Sequence, residues 1–120
     1  MKDTLYEKTI NLIEIVKNAE KIYREARETE ERADFHTVIK PFADHTKQLA
    51  DEWLIEAEQW VADKRPKYLS LMQIKNTHNN VLQVSVHCYF PESSKSRFIK
   101  HINAALFVLE QIRMEEVNGE

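Results

Sequence analysis

Between Phe35 and Trp60 apolar residues recur at every third or fourth position: Phe35, Val38 or Ile39, Phe42, Thr46, Leu49, Trp53, Ala57 and Trp60. That period puts side chains on one face of an α-helix, whereas a half-buried strand would show alternation. The stripe carries both tryptophans and two of the five phenylalanines. No other segment holds as much apolar bulk at so regular a spacing. A helix with such a face must bury it against other elements. The chain has only 1 Gly and 3 Pro, and sheets of short strands need many turn residues. Long helices joined by few loops are the expected solution.

Four helical segments follow, at approximately residues 4–31, 34–63, 67–90 and 94–116. Thr4-Leu5-Tyr6-Glu7 has the S/T-x-x-E form of a capping box and opens the first. Its stripe is Leu5, Leu12, Val16, Ala19, Tyr23 and Ala26, widened by Ile13 and Ile22, with Glu20/Arg24, Lys21/Glu25 and Glu28/Arg32 spaced for ion pairs on the other side. The charged stretch from Ala26 to Asp34 reads as a solvated helix end and turn, and Asp34 suits the N-cap of the second helix.

Pro41 falls inside that second helix, where proline removes a hydrogen bond and clashes with the preceding turn. Either the helix bends there, or a short turn ends and the main helix starts just after Thr37. The unbroken apolar phase favours the bend. Lys64-Arg65-Pro66 forms the next loop, and Pro66 suits the first position of the third helix.

The third segment is ambiguous. Tyr68, Leu71, Met72 and Ile74 look helical, then Lys75, Asn76, Thr77, His78, Asn79 and Asn80 are all polar. From Leu82 to Phe90 apolar and polar residues alternate as in a strand, yet no second strand is available to pair with it. A helical stripe of Leu71, Ile74, His78, Val81, Ser85 and Cys88 fits the same residues, so a helix is expected. Pro91 ends it. Ser93 or Ser94 caps the fourth helix, whose stripe is Phe98, Ile102, Ala105, Leu109 and Ile112, and Asn118 and Gly119 suit its C-terminus. The expected fold is all-α: a single domain over residues 1–120, an antiparallel up-and-down four-helix bundle with its second helix kinked near Pro41.

Several chemistries are disfavoured. A net charge of −3 and a pI near 6.0 offer no basic face for nucleic acid. No segment approaches the run of apolar residues that spans a bilayer. The N-terminus has no secretory hydrophobic region and Lys2 excludes N-myristoylation, so a soluble, cytoplasmic protein is expected. One cysteine, Cys88, leaves no internal disulfide and reads as a buried thiol. None of the five histidines follows a carboxylate by three positions, as the Glu-x-x-His motif of di-metal bundles requires. A looser gathering of His45, His78 and His101 has no ligand spacing behind it. There is no nucleophile elbow and no glycine-rich phosphate loop. No catalytic residue, metal ligand or cofactor is assigned.

Pro41-Phe42-Ala43-Asp44, Trp53, Trp60, Arg65-Pro66-Lys67-Tyr68-Leu69, Gln73-Ile74 with Asn79 and Asn80, Phe90 and Phe98 together resemble the YppE-like family of small cytosolic proteins from Gram-positive bacteria. The resemblance covers the chain from about Phe35 onward. The first helix shares only length and amphipathic character. It implies an all-helical up-and-down bundle and brings no activity with it.

Two functional expectations remain. The first is a non-catalytic cytosolic binding or protein-interaction module, partnered by another protein or by a second copy. The alternative is a small-molecule or metal-binding bundle with a polar mid-bundle site at Trp53, Trp60, Thr77, His78 and Asn79. The plainer reading packs the tryptophans in the core and treats Lys75–Asn80 as a satisfied network or a solvated break.

Overall fold

The computed structural model describes residues 4–29 and 32–118. Among them lie four α-helices, α1 (Leu5–Thr29), α2 (Lys40–Lys64), α3 (Leu71–His87) and α4 (Lys95–Asn118), with a π-helical turn over Phe35–Ile39 running directly into α2. Each helix packs on the next, α4 returns to α1, and α1 also meets α3 across the middle. Tyr23 near the end of α1 stacks on Phe98 near the start of α4, with ring centroids 4.1 Å apart. Trp53 midway along α2 reaches Thr9 early in α1, and Lys8 early in α1 pairs with Glu56 in the later half of α2. Neighbouring helices therefore run antiparallel, and the bundle is 45 Å along its longest axis.

The core is what the helical stripes prescribe. Leu12, Val16 and Ala19 of α1, Ala50, Trp53 and Ala57 of α2, Ile74, Val81 and Val84 of α3, and Ala105, Leu109 and Ile112 of α4 are fully enclosed. Three threonines share that core. Thr9 accepts the indole N–H of Trp53 at 3.0 Å. Thr77 turns its hydroxyl back onto the Gln73 carbonyl at 2.8 Å, the usual way a threonine satisfies itself within a helix. Thr46 has a buried hydroxyl with no partner among the described residues, which costs stability because the group has left water without a replacement bond.

Helix starts follow local chemistry. Thr4 and Glu7 bond each other's backbone N–H groups at 3.2 and 3.1 Å, closing the expected capping box. Asp34 accepts both the N–H and the hydroxyl of Thr37 at 2.9 Å, and these bonds hold its carboxyl below the ordinary range. Ser94 caps α4 through the N–H of Arg97 at 3.3 Å. α1 is described to Thr29; the expected end at 31 lies outside the described residues, as does Gly119. The Glu20–Arg24 pair forms at 2.7 Å. Arg32 lies beyond α1 and pairs with Glu92 at 3.2 Å instead of with Glu28.

The difficulty at Pro41 is resolved by the π turn. Ile39 donates to the Asp34 carbonyl and Lys40 to the Phe35 carbonyl, each five residues back. Such a wide turn just before Pro41 puts the proline in the first turn of α2, where no N–H is needed. It also holds more residues than an α turn, so positions before it rotate out of phase with the stripe. Phe35 is consequently 53% exposed, although the sequence period assigns it to the core, and of the alternatives Val38 and Ile39 it is Ile39 that is buried.

The third helix is shorter than expected, starting at Leu71 and not at Lys67, and ending at His87 and not at Phe90. α2 closes on Arg65 in the left-handed region, at φ 46°, so the chain turns away before Pro66 can open a helix. A second capping box then starts α3: Ser70 accepts from the Gln73 N–H at 3.2 Å, and Gln73 accepts from the Ser70 N–H at 2.8 Å. At the other end Tyr89 and Phe90 bond three residues back, to Val86 and His87. That tight turn leads into Pro91. The polar run Lys75–Asn80 neither breaks the helix nor opens a gap. Thr77 takes its core position while Lys75, Asn76 and Asn79 face outward.

Cys88 is wholly enclosed, and burial pushes its thiol up to about 12. Two consequences are measurable. At pH 8 the thiolate fraction is about a thousandfold lower than for an exposed cysteine, so a maleimide should react only as fast as the protein opens. The unfolded chain loses this proton near the ordinary value of 9.0, the folded chain only near 12. The contribution of Cys88 is therefore complete below pH 9 and is lost as the pH rises above it. A Cys88→Ala variant should show a flatter alkaline limb in urea unfolding. Rapid labelling of the native protein would contradict this.

Candidate functional site

The five residues singled out in the sequence do not meet in one cavity. Trp53 is fully buried and its N–H is already committed to Thr9. Trp60 closes the core two helical turns further along the same face and donates to Glu116 at 2.6 Å. Thr77 is bonded to its own helix, and Asn79 is exposed. His78 bridges α3 to α2: its Nε2 lies 2.7 Å from Asp51 Oδ1. Asp51 also accepts from Lys47 at 2.7 Å. The bonds from Lys47 and then His78 hold the Asp51 carboxyl below the ordinary carboxylate range. What Asp51 contributes to stability is thus present at neutral pH and lost as the pH falls below about 4.

The three histidines of a looser metal site are also apart. His45 borders a cleft between α1 and α2, His78 sits on the α2–α3 seam, and His101 feels His87, Arg97 and Lys100. Burial first, then these cations, lowers the affinity of His101 for a proton. Among the described residues no three His, Cys, Asp or Glu side chains are grouped to hold a metal ion.

An apolar groove of about 500 Å³ lies outside the α2–α3 seam. Ile55, Val61 and Ala62 line it from α2, and Leu71 from α3. Ile55 is 66% exposed and Leu71 44%. Glu58 and Gln59 stand on the α2 side and Lys75 on the α3 side. Helical spacing explains the arrangement. Asp51, Ile55, Glu58 and Ala62 share one face of α2, and Leu71, Lys75 and His78 share one face of α3. Because the helices are antiparallel, the His78–Asp51 bond falls on the same seam beyond the Ile55 end of the groove. Tyr68 and Met72, beside Leu71 in the chain, are 66% and 69% exposed.

One other cleft is occupied by its own side chains. Lined by Arg27, Arg32, Pro91 and Glu92, it has Arg27 donating to the Pro91 carbonyl at 3.0 Å and to the Tyr23 hydroxyl at 3.3 Å. Arg32 there is paired with Glu92. An anion would have to displace these contacts.

The sequence reading placed Leu71 on the core stripe and left Ile55 unassigned. Both could have been found. Ile55 stands alone among Asp51, Glu52, Glu58 and Gln59 on the polar face of α2, and Ser70-Leu71-Met72-Gln73 spells a capping box that fixes where α3 begins.

Fold and surface together define a small helical bundle with an outward apolar groove. The chain belongs to a bacterial family described as a domain of unknown function, DUF1798, whose model matches residues 9–115 and so includes the first helix. It is 28% identical over 115 residues to the uncharacterised protein YppE of Bacillus subtilis, covering 96% of this chain and 94% of YppE. The crystal structure of YppE superposes with a TM-score of 0.92 at 27% identity, over 99% of this chain and 97% of that one. A Listeria innocua protein of unknown function gives 0.87 at 30% identity, over 91% and 87%. The likeness of the sequence to the YppE-like family is thereby shown, and with it the four-helix fold. No helix among the described residues is long and apolar enough to cross a membrane.

Proposed function

We propose that this protein is a non-catalytic, cytosolic interaction module that binds protein through the α2–α3 groove. The observation that carries the reading is the cluster of large apolar side chains, Ile55 and Leu71 with the neighbouring Met72, held in solvent by well-capped helices. Exposed apolar surface of this kind, rimmed by charge, marks contact sites. The net charge of −3 disfavours a phosphate backbone as the partner. The small-molecule reading would require Trp53 and Thr77 to leave the core.

Thiol protection in cells tests it. Ile55→Cys introduces a reporter in the groove, and Lys17→Cys places one on the exposed face of α1. Cys88 stays silent. With the protein at its natural level, the groove thiol should react with a permeant maleimide several-fold more slowly in intact cells than in dilute purified protein. The α1 thiol should not differ. Equal rates for the groove thiol in both settings would overturn the reading.

A further inference from the structure

We propose that the occupant of the groove is a second copy of this chain, in a two-fold dimer that lays α2 of one copy over α3 of the other. This rests on the interaction reading and identifies the partner. The groove is self-complementary in charge. Glu58 projects from its α2 wall and Lys75 from its α3 wall, and among the described residues neither is in an ion pair. A two-fold axis along the groove exchanges the walls, so Glu58 of each copy faces Lys75 of the other, and one unpaired couple becomes two interchain contacts.

The apolar side chains follow the same symmetry. Ile55 and Leu71 stand on opposite walls, so the rotation sets each against the other across the axis. An unrelated partner of single-signed charge would satisfy one wall and repel the other. The far end is bounded by Lys47, Asp51 and His78, which already bond one another and form a polar rim. The face is small, so the dimer is a weak, concentration-dependent one.

Sedimentation of the purified full chain from micromolar to millimolar concentration tests this. The weight-average mass should climb from 14.2 kDa towards twice that value. Glu58→Lys alone or Lys75→Glu alone should weaken association about tenfold, and the double variant E58K/K75E should restore it, because the couple is only inverted. Should a single reversal unfold the chain, Glu58→Gln and Lys75→Gln keep the test open: each should weaken association, and their combination should not rescue it. A monomer at every concentration overturns the proposal, as does association indifferent to these charges or a loss the double reversal leaves unrepaired. A monomer whose groove thiol is still shielded in cells ends the dimer and leaves the interaction reading standing. A monomer with an unshielded thiol ends both.

Discussion

Truncating Trp53 to alanine is expected to cost about 4 kcal/mol, the largest effect of any single substitution in this chain. Trp53 is the largest fully buried side chain, and its removal empties the centre of the bundle where α1 and α2 meet. Domains of this kind are stable by only about 5–15 kcal/mol, so the melting temperature should fall by roughly 15 °C. Part of the loss is polar. Without the indole, the Thr9 hydroxyl loses the N–H it accepts at 3.0 Å. A cycle of Trp53→Phe, Thr9→Val and the double variant should therefore show a coupling of about 1 kcal/mol in urea unfolding. A loss below about 1.5 kcal/mol for Trp53→Ala would mean that the bundle is not organised around this side chain.

The opposite profile is expected for Ile55→Glu combined with Leu71→Asp. Both positions are exposed, so stability should change by less than about 1 kcal/mol. Leu71 is the first residue of α3, where an acidic side chain suits the helix dipole. Association should nonetheless fall by more than about a hundredfold, since two apolar anchors are replaced by charges that repel each other and Glu58. Sedimentation and a thermal melt on the same sample separate the two effects. Association that survives would place the contact elsewhere, and a collapse of the melt would mean the side chains belong to the core.

The core was legible in the sequence because helical period translates directly into burial. The α4 stripe is enclosed as its spacing requires, as are Leu5 to Tyr23 of the α1 stripe and Thr46, Trp53, Ala57 and Trp60 of the second, while Ala26 and Leu49 are half-buried. The period failed at Phe35 because it assumes a constant turn, and the widened turn before Pro41 breaks that assumption without leaving a mark in the apolar pattern. It failed again at Leu71, which is apolar and in phase but sits beyond the contact between α2 and α3. The polar run Lys75–Asn80 drew attention to His78, and His78 does lie on the groove's seam, for a reason the run itself did not contain. Its partner Asp51 is 27 residues earlier in the chain, and only the antiparallel packing of the two helices brings them together. The tryptophans drew attention for their size, and size is what put them in the core. A contact surface is written in the exceptions on polar faces, such as Ile55, which a search for catalytic or metal motifs passes over.

Amide chemical shifts followed while the protein is concentrated from micromolar to millimolar test whether the α2–α3 groove is the contact surface. Shifts concentrated at Ile55, Glu58, Ala62, Leu71 and Lys75, and absent from the outer face of α1, are the predicted result. A spectrum that does not change with concentration, or changes gathered on another face, would contradict it.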